Sequence, residues 1–233
     1  MARLAVVSAM HEELRALLPH LAAPQRHERA GRVFHAGELD GRPALLVLCG
    51  IGKVAAATTT ALLLDAFEVE AIVFTGVAGG LAPGVNVGDA VIATELLQHD
   101  LDASPIFPRW EVPLTGRSRF PAHAGMSDAL ARAAARHAGR VHRGLVVSGD
   151  RFVSTAAESA LLRAALPDAL AVEMEGAAVA QVCADFGRPF AVLRVVSDRA
   201  DDHAHGDFTR FVADVASRFT RDVLLDAWTA LHA

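Results

Sequence analysis

Three acidic residues and one arginine stand at the ends of two apolar segments near the C-terminus: Glu173, Glu175, Arg194 and Asp198. Glu173 and Glu175 are two residues apart, and on a β-strand this spacing places both side chains on one face. Carboxylates lose hydration energy at such positions, so each needs an ion-pair partner or a role in acid–base chemistry. A buried ion pair with Arg194 that only ties two strands together is the alternative. These residues alone leave both interpretations open.

The segments around these residues predict a strand–helix–strand unit. Residues 169–174 are apolar and predict a buried strand. A helix follows from Gly176, and Gly187 with Pro189 just beyond it predicts where that helix ends. Residues 190–196 predict a second buried strand. Because open α/β sheets bind ligands at the carboxyl ends of their strands, this unit would deliver its charged side chains to a binding site.

The rest of the chain alternates in the same way. The other predicted strands comprise residues 4–9, 32–39, 43–49, 71–75, 89–97 and 143–148. The other predicted helices comprise residues 11–20, 53–67, 127–138, 155–166 and 207–231. Asp40 and Gly41 predict a hairpin turn, residues 76–80 a glycine-rich loop, and residues 99–125 a long loop that is functional or disordered. The alternation predicts a single-domain, three-layer α/β/α fold over residues 1–233, with a central mixed, mostly parallel sheet.

Composition and charge narrow the class of protein. The chain has 233 residues, 52% of them hydrophobic, and a formal net charge of -5. This size and apolar content predict a globular protein with a substantial core. Because the sequence has no block of Lys or Arg, we expect no nucleic-acid partner. The N-terminus resembles a strand rather than a signal peptide, and glycines interrupt the apolar residues 71–87, so we expect no membrane association and a cytoplasmic protein.

Several short motifs have simple interpretations. Residues 49–53 lack the glycine spacing of a phosphate-binding P-loop, and residues 76–80 lack the dinucleotide fingerprint. Cys49 and Cys183 lie in apolar stretches and indicate neither a disulfide framework nor a zinc site. The acidic and histidine-rich residues 201–207 are interpreted as a solvated loop, so we expect no metal ion.

Six separated segments keep the order and approximate spacing of a known family. They are residues 8–14, 50–53, 75–80, 148–152, 172–175 and 197–198. Together they resemble the 5′-methylthioadenosine/S-adenosylhomocysteine nucleosidases of the purine nucleoside phosphorylase superfamily, and the resemblance runs nearly from end to end. It implies a nucleoside phosphorylase-like fold. It also implies hydrolysis of the N-glycosidic bond of 5′-substituted adenosines, without a metal or organic cofactor.

The resemblance implies three catalytic residues. Asp198 matches the general acid that protonates N7 of adenine, so that the base leaves neutral while the sugar becomes an oxocarbenium ion. Glu13 matches the residue that orients and deprotonates the attacking water, although an acid at a helix start is also a common stabilising feature. Arg194 matches a residue that helps to hold this water.

The resemblance also implies residues that bind the substrate. The set is Met10, Ile51, Ala78, Gly79, Phe152, Val153, Met174, Glu175 and Phe208. Within it, Glu175 matches the acid that binds the ribose hydroxyls, beside the backbone of Met174. Phe152 matches the aromatic ring that stacks on adenine, and the backbone of Val153 matches groups that read the base edge. Glu173 is expected to support the strand end.

The pocket for the 5′ substituent is implied to be apolar, lined by Met10, Ile51 and Phe208. Two features depart from the family pattern around it. Val77 stands where the family often has Ser, so a polar contact near the ribose or the water is absent or comes from elsewhere. Residues 102–113 differ from the commoner version of a loop that closes the 5′ pocket of a neighbouring subunit. The resemblance implies a homodimer in which loop 100–125 completes the partner's pocket.

Three alternatives to this function stay open. A phosphorylase would use phosphate in place of water, but the first turn carries Glu12 and Glu13 and no arginine, so charge repulsion disfavours it. A nucleosidase for another adenosine-bearing biosynthetic intermediate is a second alternative. A non-catalytic nucleoside-binding module is the third, and it does not explain why Glu13, Glu175 and Asp198 are all present.

Overall fold

The computed structural model describes residues 3–205 and 217–232, and the elements below are those of this part of the chain. The strands are β1 Arg3–Ser8, β2 Ala22–Arg29, β3 Arg32–Leu39, β4 Arg42–Leu48, β5 Val69–Gly80, β6 Ala90–Gln98, β7 Phe120–Pro121, β8 Val141–Ser148, β9 Ala169–Glu173 and β10 Phe190–Asp198. The α-helices are α1 His11–Arg15, α2 Lys53–Ala66, α3 Ala124–Ala134, α4 Ala156–Ala165, α5 Gly176–Asp185 and α6 Ser217–Leu231.

The strands form one mixed sheet organised around β5. The order is β10-β6-β8-β9-β5-β1-β4-β3-β2, and β10 also pairs with β5, so five of the strands close into a ring. β5 runs parallel to β1 and β10 and antiparallel to β9. β1, β4, β3 and β2 extend from this ring as an open wing. The closed ring brings the carboxyl ends of β5 and β10 next to the turn after β9.

Alternate residues of the central strands face two hydrophobic clusters. In β1, Ala5 and Val7 belong to one cluster, whereas Leu4 and Val6 belong to the other. Residues of α2 and α5 complete the first cluster, and residues of α3 and α6 complete the second. β10 is buried along its whole length, as expected for a strand with both faces covered. The arrangement confirms the predicted three-layer α/β/α class with a mixed sheet.

The glycine-rich residues 76–80 form the end of β5, so the prediction of a loop is wrong. A Cβ atom on Gly76 would lie 2.8 Å from Oε1 of Glu13, and one on Gly79 would lie 2.9 Å from Oδ1 of Asp198. Both distances are too short for a real Cβ contact. The glycines are therefore explained by the close approach of two carboxylates to a strand, which composition alone does not distinguish from a turn.

Three other regions differ from the sequence-based prediction. Residues 99–125, predicted as one loop, contain β7 and the start of α3. β2 was not predicted, because it is exposed along its length and lacks the apolar alternation that marks a half-buried strand. The predicted helix over residues 11–20 is divided into α1 and a 3₁₀ turn, Leu18–His20, with Pro19 near its start. By contrast, Asp40 and Gly41 have φ values of 47° and 68°, as the predicted hairpin turn requires.

Within residues 3–205 and 217–232, none of the helices has the length and apolar character needed to cross a membrane. Of the predicted C-terminal helix, residues 207–216 lie outside the described residues, and α6 accounts for the remainder.

Candidate active site

A cavity of about 300 Å³ opens where β5 and β10 end. It is lined by the turn after β1, the end of β5, the turn between β9 and α5, the end of β10 and the segment after β8. Every predicted site residue within the described chain lines it: Met10, Glu13, Ile51, Ala78, Gly79, Phe152, Val153, Met174, Glu175, Arg194 and Asp198. Phe208 lies outside the described residues. Segments far apart in the sequence are thus brought to one cavity.

Glu13 is buried and held by backbone donors. Its Oε2 accepts hydrogen bonds from the N–H groups of Ala9 and Met10, each at 2.9 Å, and its Oε1 accepts one from Val77 at 3.2 Å. Burial raises the pKa of Glu13, although these hydrogen bonds and the Arg194 cation act in the opposite direction. Glu13 lines the cavity and, through the Met10 N–H group, also caps the start of α1, so the helix-start role is present together with a place in the site. Val77 contributes here through its backbone N–H group.

Arg194 forms a buried ion pair with Glu173. Arg194 Nη2 lies 2.6 Å from Glu173 Oε2, and the Arg194 guanidinium lies 4.1 Å from the centre of the Phe74 ring. Glu173 Oε2 also accepts a hydrogen bond from Gly176 N–H at 2.8 Å, while Ser148 donates its hydroxyl to Glu173 Oε1. The ion pair predicted as an alternative is thus present, but Arg194 also lines the cavity. Glu173 supports the end of its strand.

Glu175 lines the same cavity, but it lies at the start of a helix rather than on a strand. β9 ends at Glu173, and Glu175 is the N-cap of α5, so the prediction that both lie on one strand face is wrong. Glu175 Oε1 accepts a hydrogen bond from Gly52 N–H at 2.8 Å. Burial and the repulsion from Glu173 raise the pKa of Glu175 to about 8. The turn after β9, rather than strand pleating, brings the two carboxylates together.

Asp198, the last residue of β10, is 1% exposed. Its Oδ2 accepts a hydrogen bond from the Ser197 hydroxyl at 2.8 Å, and its Oδ1 accepts one from Ala200 N–H at 2.8 Å. Two donors therefore fix the plane of this carboxyl group beside Gly79. Sequence reasoning gave no separate role to Ser197, although a hydroxyl directly before an acid at a strand end is a usable signal.

The mouth of the cavity is apolar. Ile51 is 60% exposed and Phe152 is 40% exposed, and both line the cavity. Exposed large apolar side chains at a cavity are suited to contact a flat or apolar ligand. Arg151 and His205 also line the cavity and were not predicted, because neither belongs to an apolar periodic pattern.

The carboxylates of Asp201 and Asp202 accept hydrogen bonds from nearby backbone N–H groups. Asp201 Oδ1 accepts a hydrogen bond from His203 N–H at 2.9 Å, and Asp202 Oδ1 accepts one from Ala156 N–H at 3.4 Å. Among the residues that the structure describes, no three His, Cys, Asp or Glu side chains are grouped to hold a metal ion. The described cavity thus offers carboxylates, backbone donors and apolar walls.

The geometry agrees with the comparisons to known proteins. A family model described as the phosphorylase superfamily matches residues 3–227. The 5′-methylthioadenosine/S-adenosylhomocysteine nucleosidase of Geobacillus thermodenitrificans is 36% identical over 231 residues, which cover 98% of this chain and 97% of that protein.

Solved structures resemble the chain over nearly its whole length. The nucleosidase of the same name from Neisseria meningitidis, in complex with methylthio-immucillin-A, has a TM-score of 0.94 at 36% identity and covers 99% of this chain and 100% of that one. A futalosine hydrolase mutant of Helicobacter pylori has a TM-score of 0.91 at 29% identity, covering 98% of this chain and 99% of that one. The chain therefore belongs to the 5′-methylthioadenosine/S-adenosylhomocysteine nucleosidase family of the phosphorylase superfamily.

Proposed function

We propose that this protein is an N-ribosyl hydrolase that cleaves 5′-methylthioadenosine and S-adenosylhomocysteine, releasing adenine and the 5′-substituted ribose. One observation carries the proposal. Glu13 and Asp198 approach β5 at Gly76 and Gly79, respectively. Three residues of strand span roughly 10 Å. A buried acid therefore stands at each end of a space that fits a nucleoside, with its purine toward Asp198 and its sugar toward Glu13.

Asp198 acts on the leaving base. Its protonated carboxyl group donates to N7 of adenine, so that the base departs neutral as the sugar gains oxocarbenium character. The hydrogen bonds from Ser197 and Ala200 hold the carboxyl plane in one orientation, which limits the reorganisation needed during proton transfer. An adenine anion would be a far poorer leaving group.

Glu13 acts on the nucleophile. As a carboxylate it accepts a proton from water and aims the oxygen at the anomeric carbon. Its three backbone donors and the nearby Arg194 favour the charged form against burial. Arg194 helps to hold the same water, and its ion pair with Glu173 fixes the guanidinium.

The remaining cavity residues bind the nucleoside. Glu175 accepts hydrogen bonds from the ribose hydroxyls beside the backbone of Met174, and Phe152 stacks on adenine while the Val153 backbone reads its edge. Ala78 and Gly79 form the wall along β5. Met10 and Ile51 line the part of the cavity that receives the 5′ substituent. The family resemblance assigns Phe208 to the same pocket.

Charge favours water over phosphate as the nucleophile. Two arginines line the described cavity, and each has a carboxylate partner: Arg194 pairs with Glu173, and Arg151 pairs with Glu158. An entering phosphate dianion would meet the Glu13 carboxylate at short range in a poorly hydrated site. This distribution disfavours the phosphorylase alternative.

A homodimer in the cytoplasm completes the proposal, with loop 100–125 of one subunit closing the 5′ pocket of the other. Within this loop, Ile106 is 82% exposed and Leu114 is 90% exposed. A partner subunit that covers this loop would remove both apolar side chains from water, which supports the proposed arrangement.

Adenine release tests the proposal directly. The purified protein is incubated in phosphate-free buffer with 5′-methylthioadenosine, S-adenosylhomocysteine, adenosine and futalosine in parallel. Each released purine base is identified, because futalosine carries hypoxanthine rather than adenine. We expect the first two to yield free adenine at the highest specificity constants. Release of no base from any of them would support a binding module, and preferential release of hypoxanthine from futalosine would assign a different substrate.

A further inference from the structure

Two carboxylates from other parts of the chain cap the N-terminus of α2. Gly52 is the N-cap and offers no side chain. Its N–H group donates to Glu175 Oε1 at 2.8 Å, and the N–H group of Lys53 donates to Asp150 Oδ1 at 2.7 Å. First-turn N–H groups have no partner within their own helix, so these oxygens satisfy them. Glu175 belongs to the candidate site, whereas Asp150 has no role in the proposed reaction.

The side chain of Lys53 extends the same connection. Its Nζ donates to Asp100 Oδ1 at 2.6 Å and to Gln98 Oε1 at 3.2 Å. Asp100 Oδ2 in turn accepts a hydrogen bond from Asp150 N–H at 2.8 Å. Although burial acts to raise it, the pKa of Asp100 is lowered because Lys53 and Asp150 donate to the carboxylate. Three loops are therefore joined at one point beside the cavity.

The hydrogen bonds around Lys53 and Asp150 lie between two segments of the cavity mouth, one carrying Ile51 and the other Phe152. Ile51 stands between Gly50 and Gly52, whose φ values are 83° and 96°. Phe152 follows Asp150 by two residues, and both Ile51 and Phe152 line the cavity. The Lys53 N–H to Asp150 hydrogen bond thus links the two segments across the mouth. A Cβ atom on position 52 would lie 3.1 Å from Asp150 Oδ1, so the close approach favours glycine there.

We propose that Asp150 is a positioning residue that caps α2 and thereby holds Ile51 and Phe152 at the separation a bound nucleoside needs. This inference rests on the proposed function, because it assumes that both side chains contact the substrate. Asp150 itself does not line the cavity. Glu13 and Asp198 lie on other elements and keep their own hydrogen-bond donors when Asp150 is changed. Loss of Asp150 should therefore weaken substrate binding more than it slows the chemical step.

Steady-state kinetics with 5′-methylthioadenosine tests this role. Asp150→Ala should raise KM by up to about tenfold, the fold-change equivalent to the stability that a capping oxygen gives a helix if all of it is needed for binding. It should leave kcat within about threefold of the unsubstituted protein. Asp150→Asn keeps an oxygen that can accept the Lys53 N–H group, so most of the KM increase should be recovered.

Asp128→Ala is the matched control. Asp128 lies on α3, has a side chain 46% exposed and pairs with Arg143 at 2.6 Å. The Asp150 side chain is similarly exposed, at 48%. The control removes an exposed carboxylate of the same kind away from the cavity, and KM should not change.

Three results would overturn the inference: an unchanged KM in Asp150→Ala, a kcat loss as large as the KM increase, or an Asn variant no better than the Ala variant. If Asp150→Ala does not fold, Asp150→Leu, which keeps the size of the side chain but has no acceptor oxygen, is measured instead. A KM increase that Asp150→Asn does not share supports the role, and an unchanged KM contradicts it. An unsubstituted protein that releases no adenine would defeat the proposed function itself. If the unsubstituted protein releases adenine and the Asp150 variants have an unchanged KM, only the role of Asp150 is contradicted.

Discussion

Glu173 and Arg194 form an ion pair in which both side chains are almost fully buried, 3% and 1% exposed, with 2.6 Å between Oε2 and Nη2. Each charge depends on the other, because neither can be hydrated where it lies. The pair joins β9 to β10 and also fixes the guanidinium at the cavity. Its main consequence is for stability.

Glu173→Gln should lower the free energy of unfolding by about 3 kcal/mol, because it leaves the buried Arg194 without its charged partner. Urea denaturation measures this loss. Glu28→Gln is the control, since it removes one member of the Arg26–Glu28 pair, whose side chains are 62% and 72% exposed. The control should change stability by less than about 1 kcal/mol. Equal effects of the two substitutions would contradict the importance of the buried pair.

Asp198→Asn should lower turnover of 5′-methylthioadenosine by roughly 10² to 10⁴, the usual contribution of a placed general acid. Asparagine keeps the shape but cannot deliver a proton to N7. The measurement is adenine release, with circular dichroism to show that the variant is folded. The assignment of Asp198 does not survive near-normal turnover in a folded variant, or faster cleavage of inosine than of adenosine.

Stability should fall as pH rises toward alkaline values. Burial and repulsion raise the pKa of Glu175 from 4.5 to about 8, so the folded protein binds more protons than the unfolded chain across that interval. The stability from this group is complete below the unfolded pKa and is lost as pH rises through the folded pKa.

Glu175→Gln should therefore reduce the slope of unfolding free energy against pH between about 5 and 8, by up to about 1.4 kcal/mol per pH unit. Urea titrations at several pH values measure the slope. The buried Glu13, whose pKa is also raised, accounts for a slope that remains. A variant with the original slope would show that Glu175 is not the group that titrates.

An alkylthio substituent should outperform a 5′-hydroxyl group because the pocket around Met10 and Ile51 is apolar. Burying such a group is worth about 1 to 3 kcal/mol, so the specificity constant for 5′-methylthioadenosine should exceed that for adenosine by roughly 10- to 200-fold. Ile51→Asn should reduce this ratio. Leu161→Asn, at a side chain 72% exposed on α4, is the control and should not. Equal specificity constants for the two nucleosides would place the 5′ pocket elsewhere.

The sequence predicts much of this site because acids at strand ends leave a recognisable pattern. Asp198 and Arg194 are found where the predicted strand over residues 190–196 places them. Glu175 lies in the site as predicted, but the predicted local structure is wrong, because it caps a helix and does not share a strand face with Glu173. The spacing of residues does not show where a strand ends, because the end depends on hydrogen bonds to strands that are distant in the sequence.

Other parts of the site depend on contacts between distant segments. Gly52 and Glu175 are 123 residues apart in sequence and meet only because α2 and α5 pack on the same face of the sheet. Glycines 76 and 79 suggest a turn by composition, and their true role appears only once Glu13 and Asp198 lie against β5. The exposed strand β2 has no apolar periodicity, so no local signal predicts it.

Product analysis of the Glu13 reaction tests the central claim, that water is the nucleophile, most directly. Glu13→Gln keeps the shape of the side chain and removes the base, so hydrolysis should fall by a factor of order 10² or more while nucleoside binding persists. Glu12→Gln, at the partly exposed neighbouring acid, is the control and should retain activity. In phosphate-free buffer the unsubstituted protein should convert 5′-methylthioadenosine to adenine and free 5-methylthioribose. Turnover that requires phosphate and yields the sugar 1-phosphate would contradict the account.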